Sequence, residues 1–200
     1  AYRHFRGQSE GEAIPQGALM MMLKRLKAEN CCTFMKQLNT IWCSHADQLT
    51  TDYVAYTADL PAEHRLSYYP NQDLEAVAAQ TQKPVYKLLI RAQGKTEQIA
   101  DQLRNVEGVR LFVYPYGDIE VISAKADKGR AIRQAAKQLG MDPARILGIG
   151  DSINDLPMFE GCGLRVAMAN AADQVKAQAD YITLSNEEDG VGEALRRLVL

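Results

Sequence analysis

The chain has 200 residues, 46% of them hydrophobic and 24% charged, with a formal charge of -2. Those proportions provide apolar residues for one sizeable core or two small ones, and they exclude disordered and collagen-like classes. So small a net charge gives no general attraction to nucleic acid or anionic lipid, so an anion has to be held by local geometry, which points to work on small molecules.

Read in chain order, "AYRHFR" is a candidate strand and "QGALMMMLKRLKAEN" a helix. Strand "CTFMK", a Leu38-Asn39 turn and strand "TIWCS" follow. The stretch from His45 to Gln80 is less legible; its Tyr53, Tyr56, His64, Tyr68 and Tyr69 read either as a pocket lining or as buried structural aromatics. Then "PVYKLLI" is a strand, "TEQIADQLRNV" a helix, and "VRLFVYP" and "IEVIS" a hairpin about Tyr116-Gly117-Asp118. Residues 1–123 thus hold two α-β-β units, expected to pair into one antiparallel sheet with helices on one face. Met20, Met21 and Met22 read as gap fillers of a core, and Trp42 as packing within the first hairpin.

From residue 124 the pattern changes. In "DKGRAIRQAAKQLG", Ile132, Ala135, Ala136 and Leu139 recur at helical spacing between an Asp127 cap and a Gly140 stop. Short apolar strands "RILGIG", "LRVAM" and "DYITL" then alternate with helical segments, and "GVGEALRRLVL" closes the chain as an amphipathic helix. That alternation predicts parallel strands joined by crossover helices. The fold class expected for residues 124–200 is therefore α/β, part of a doubly wound parallel sheet, behind a separate α+β module at 1–123.

Cys31, Cys32, Cys43 and Cys162 have no metal-type spacing and read as reduced thiols, mostly in cores. No apolar run is long enough for a membrane span and no leader precedes the first helix, so the expected location is cytoplasmic.

Polar chemistry concentrates in "LGIGDSINDLPMF". Ligands of open α/β sheets bind beyond the carboxyl ends of the strands, and Asp151 stands at such an end. Asp151, Asn154 and Asp155 are hard oxygen donors suited to Mg²⁺, and Asn154 and Asp155 open the next helix. The same residues fit a turn and a helix cap. An EF-hand is set aside because oxygens at positions 1, 4 and 5 do not match its 1, 3, 5 alternation. Lys128, at the start of the preceding helix and followed by Gly129, is either a point charge for a phosphoryl group or simply solvated.

Together, "ADKGRAIRQAAKQLGMDPARILGIGDSINDLPMFEGCGLRVAMANAADQVKAQADYIT" and "NEEDGVGEAL" resemble the carboxy-terminal part of the Cof-type phosphatases of the haloacid dehalogenase superfamily, whose core carries an α+β cap of subclass IIB. The resemblance implies a Mg²⁺-dependent phosphohydrolase of small phosphorylated metabolites, with residues 1–123 as the cap. It implies that Lys128 holds the phosphoryl group and the nucleophile, and that Asp151 and Asp155 ligate the metal. Asn154 supports metal or phosphate, and Asn170 of "AMANA" is a nearby structural or substrate-side residue. Those roles suit phosphoryl transfer, in which spread-out negative charge has to be positioned and neutralised.

The chain departs from the family pattern in one respect. Cof-type phosphatases begin with an Asp-x-Asp strand whose first aspartate attacks phosphorus and whose second is general acid and base. No Asp-x-Asp occurs in these 200 residues. The chain is expected to be truncated, to have little turnover by itself, and to expose a core edge through which it pairs as a homodimer. A non-catalytic phosphate-binding or regulatory relative and a phosphomutase are the alternative readings.

Overall fold

The computed structural model describes residues 2–5 and 8–200. It divides into two units, Ala1–Ala126 and Asp127–Leu200.

The first unit opens with a hairpin of β1 (Tyr2–Phe5) and β2 (Gln8–Gly11). The elements α1 (Gln16–Ala28), β3 (Cys32–Lys36), β4 (Thr40–Cys43), α2 (Gln48–Ala55), β5 (Ser67–Tyr69) and α3 (Leu74–Gln80) follow. The unit ends with β6 (Lys87–Arg91), α4 (Thr96–Arg104), β7 (Val109–Val113) and β8 (Asp118–Ser123). Six strands form one sheet in the order β5-β4-β3-β6-β8-β7. Every pair is antiparallel except β4 with β5.

Both expected α-β-β units are present, α1-β3-β4 and α4-β7-β8. Among the described residues β1 pairs with β2, in a sheet apart from the six strands. One detail differs from expectation: the helices do not share one face. Leu19, Met22 and Leu26 of α1, Ala78 of α3 and Ile99 and Leu103 of α4 pack on Met35, Leu88, Ile90, Ile119 and Val121. On the opposite face Cys32, Phe34, Ile41 and Cys43 are covered by Val54 of α2 with Leu66 and Tyr68. The near-continuous apolar run Cys32 to Met35 is the physical counterpart, since a strand covered on both faces has no polar side to alternate with.

Met22 is buried, Met20 packs against the core and Met21 is exposed. Trp42 stacks on Tyr69 with ring centroids 4.4 Å apart, and its indole donates to Gln37 Oε1 at 3.1 Å.

The second unit contains α5 (Lys128–Leu139), β9 (Leu147–Gly150), α6 (Leu156–Phe159), β10 (Leu164–Ala167), α7 (Asp173–Lys176), β11 (Tyr181–Ile182) and α8 (Gly190–Leu198). Its sheet is parallel throughout, in the order β11-β10-β9. Asp127 accepts from Arg130 N at 2.5 Å and Gly140 ends α5 at φ 65°, as the sequence pattern predicts. The core is small: Phe159, Ala167, Met168, Ala171 and Val175. Leu139, Ile182, Leu184, Val191 and Leu195 stay exposed. All four cysteines are free; Cys31, Cys32 and Cys43 are buried and Cys162 half-buried. Among the described residues no helix is long and apolar enough to cross a membrane.

Candidate active site

The corner after β9 is built by close packing that glycine alone permits. A Cβ on Gly150 would lie 2.6 Å from Cβ of Asp155. With hydrogen there instead, Asp155 folds back under the strand end. Its Oδ2 accepts from the backbone N–H groups of Asp151 and Ser152, each at 3.1 Å. Its Oδ1 meets the Lys128 ammonium in an ion pair. Asp155 is 6% exposed, and both its oxygens are occupied.

Lys128 reaches this point because of its neighbour. A Cβ on Gly129 would stand 1.9 Å from the Pro157 carbonyl oxygen, so the first turn of α5 meets the start of α6 only with glycine there. The Lys128 ammonium also donates to Asn154 Oδ1 at 3.3 Å and remains half exposed. It is thus fixed by two acceptors on one side and open to solvent on the other.

Asp151 is exposed at the carboxyl end of β9. Its carbonyl accepts from Ala172 N at 3.2 Å. Asn170 Nδ2 approaches Asp151 Oδ2 at 3.5 Å, the outer limit of a hydrogen bond, while Asn170 Oδ1 accepts from Asn186 N at 2.9 Å. Five of the residues singled out from the sequence, Lys128, Asp151, Asn154, Asp155 and Asn170, therefore share one small polar corner.

Two contributors were not assigned a part from sequence. Asn186 anchors Asn170, and it lies in the quoted "NEEDG" segment, whose order was the only signal. That segment is shaped by Asp189, which takes the left-handed conformation (φ 55°, ψ 43°) and caps α8. Next to it a Cβ on Gly190 would meet the Leu184 carbonyl oxygen at 2.1 Å. The Glu188 carboxyl is held below its ordinary range by the Ser185 hydroxyl and amide, which close the same turn.

Among the described residues no three His, Cys, Asp or Glu side chains cluster as a ready-made metal cage. Mg²⁺ does not require one, since it retains waters and takes one or two carboxylates together with substrate phosphate. An exposed Asp151 carboxylate at a strand end fits that donor set.

In the aromatic segment Tyr53 and Tyr56 are 59% and 85% exposed, Tyr69 stacks on Trp42, and Tyr68 packs against the Phe34 cluster. A cavity of about 220 Å³ in the first unit is lined by Leu23, Leu26, Cys31, Thr33, Ser44 and His45, among others.

The corner sets a lysine and two carboxylates beyond the carboxyl end of a parallel strand, where ligands of open α/β sheets bind. A family model described as haloacid dehalogenase-like hydrolase matches residues 9–195, and the chain belongs to that family. It is 47% identical over 81 residues to the putative phosphatase YxeH of Bacillus subtilis, covering 40% of this chain and 30% of that protein. It is 38% identical over 103 residues to the 5-amino-6-(5-phospho-D-ribitylamino)uracil phosphatase YcsE of the same organism, covering 52% of this chain and 41% of that protein. A solved haloacid dehalogenase-like hydrolase from B. subtilis superposes with a TM-score of 0.80 at 25% identity, covering 96% of this chain and 74% of the other. The chain thus spans less than half the length of these two curated relatives.

Proposed function

We propose that this chain is the cap and the carboxy-terminal part of the core of a Mg²⁺-dependent phosphatase of small phosphorylated metabolites, sugar phosphates or similar, working in the cytoplasm. The observation that carries the reading is the exposed Asp151 carboxylate beyond β9, with the Lys128 ammonium fixed in the same corner. In this reading residues 1–123 are the cap and 124–200 belong to the core. Four free thiols suit a reducing compartment.

Asp151 would ligate the metal directly. When bound, Mg²⁺ supplies positive charge that offsets the charge of a transferring phosphoryl group. Asp155, expected as a second ligand, has both oxygens engaged by the Asp151 and Ser152 amides and by Lys128, so in this reading it supports the arrangement rather than meeting the metal. Lys128 neutralises phosphoryl charge through the donors it keeps toward solvent. Asn154 and Asn170 support the metal or phosphate through contacts to Lys128 and Asp151.

The attacking group is not among these residues, because no Asp-x-Asp occurs in the 200. The corner alone therefore holds and neutralises a phosphoryl group without breaking its ester, since removing a covalent nucleophile costs many powers of ten. Exposed Ile182, Leu184 and Leu195 favour pairing of two copies through the second unit; a monomeric mass by light scattering would remove that part.

The test uses Mn²⁺ as a paramagnetic probe and an aryl phosphate as substrate. The 200-residue chain is expected to bind Mn²⁺, and Asp151→Asn to lose that binding while keeping the same unfolding midpoint. Aryl phosphate is expected to stay intact with Mg²⁺. Turnover that Asp151→Ala abolishes would show that a carboxylate inside these residues attacks, and the account of the nucleophile would fall.

A further inference from the structure

The face of the six-stranded sheet that carries Phe34 also carries a set of charges unrelated to the Asp151 corner. Alternation along the strands puts Lys36 of β3, Lys87 of β6 and Glu120 of β8 on that face, because Met35, Leu88 and Val121 point to the other one. Lys36 and Lys87 are direct cross-strand partners. Like charges in that position repel, and a structural role would favour opposite signs.

One carboxylate answers both. Lys87 Nζ donates to Glu120 Oε2 at 2.7 Å, and the Tyr114 hydroxyl donates to the same oxygen at 3.4 Å. Glu120 is 7% exposed. Lys36 makes no side-chain hydrogen bond or ion pair among the described residues. Burial, and then the charge of Lys87, push its ammonium below the ordinary lysine range, with Glu120 opposing. Farther along the same face Arg91 is paired with Asp47 and stands across from Asp118; within the trio of Lys36, Lys87 and Glu120, two ammonium groups facing one carboxylate leave one positive charge in excess, partly withdrawn from water. There an added anion is attracted more strongly than at a hydrated surface.

We propose that Lys36 and Lys87, spaced by the sheet register and steadied by Glu120, bind the carboxylate or phosphate oxyanion of a small metabolite. The site is built from first-unit residues only and does not rest on the phosphatase reading. Lysine suits it as a compact charge with rotatable donors, tolerant of either oxyanion geometry.

The test is trace acylation of lysines by an amine-reactive ester, read residue by residue by mass spectrometry, with malonate, inorganic phosphate or potassium chloride at equal ionic strength. Occupancy protects by a factor of one plus ligand over Kd. Lys36 labelling should therefore fall about fourfold with the anion at about three times its Kd, while exposed Lys24 of α1 is unchanged. Protection by malonate alone assigns a carboxylate ligand and by phosphate alone a phosphoryl ligand; either supports the site. Lys87→Gln should abolish the protection and Glu120→Gln, which removes the competing carboxylate, should strengthen it. Equal protection by chloride, no protection by either oxyanion, or full protection in Lys87→Gln overturns the proposal.

Discussion

The two units differ in how many apolar side chains they bury and in where their polar groups gather. The first buries twenty residues in one apolar cluster and covers its sheet on both faces. The second has five buried residues in its cluster among those described and leaves Ile182, Leu184, Val191 and Leu195 exposed. Yet the second holds the corner where Lys128, Asp151 and Asp155 meet. A densely packed sheet tolerates few polar groups in its interior, whereas a short parallel sheet offers strand ends at which backbone amides and carboxylates can face a ligand.

Core truncation should expose the contrast most strongly. Leu88→Ala, in the centre of the first unit, is expected to cost about 2–5 kcal/mol, whereas Leu195→Ala, 40% exposed, should stay within about 0.5 kcal/mol. Trp42 is the sole tryptophan and packs on the first unit's core, so its fluorescence in a urea titration reports that unit while far-ultraviolet dichroism reports both. Coincident losses of equal size in the two variants would break the division.

A second contrast uses one substitution with opposite signs. Gly129→Ala forces a Cβ against the Pro157 carbonyl and should destabilise the second unit by about 1–3 kcal/mol, as overpacking does. Gly17→Ala in the exposed first turns of α1 meets nothing within 4 Å and should stabilise by about 0.5–1 kcal/mol. Dichroism midpoints moving the same way in both would show that the contact at Gly129 relaxes freely.

Asp155→Asn sharpens the corner itself. The carboxylate serves two backbone donors on one oxygen and the Lys128 ammonium on the other. An amide can turn only its single oxygen to one of these sides, so its NH₂ faces a donor in either orientation. A cost of about 1–3 kcal/mol follows, whereas Asp151→Asn, at an exposed position, should leave the midpoint unchanged. A neutral Asp155→Asn would mean the corner is not held by this carboxylate.

Much of this arrangement was legible in the residues. Helix α5 between Asp127 and Gly140, the three parallel strands and the family resemblance could all be read from periodicity, caps and motif order. The short elements between His45 and Gln80 could not. Helix α2 buries none of its own residues, so it carries no apolar stripe to read, and β5 spans three residues. The covering of both faces of β3 was hidden for a related reason, since a continuous apolar run does not say what lies on either side. At the corner the residue types were readable, but their division of labour was not. That Asp155 is enclosed and Asp151 exposed follows from the close approach at Gly150, a contact in space rather than a spacing in sequence.

The smallest expected effect lies at the edge of the second sheet. Asp180 takes both Nε and Nη2 of Arg165, at 2.9 and 2.5 Å, and the Arg165 backbone N–H at 2.9 Å. The guanidinium first, and then that amide, pull its carboxyl from 3.8 down to about 2. A carboxyl depressed in the folded state binds its proton more readily when unfolded, so its contribution is complete above the unfolded value and fades as pH falls toward the folded one. The stability difference between the native chain and Asp180→Asn should therefore be constant near neutrality, shrink between pH 3.8 and about 2, and vanish below that window. Because both groups are open to solvent, added salt should reduce the difference at neutral pH. A difference that persists below the window would locate the effect of Asp180 in the hydrogen bond from the Arg165 amide to its side chain, which an asparagine oxygen can also accept, rather than in its charge.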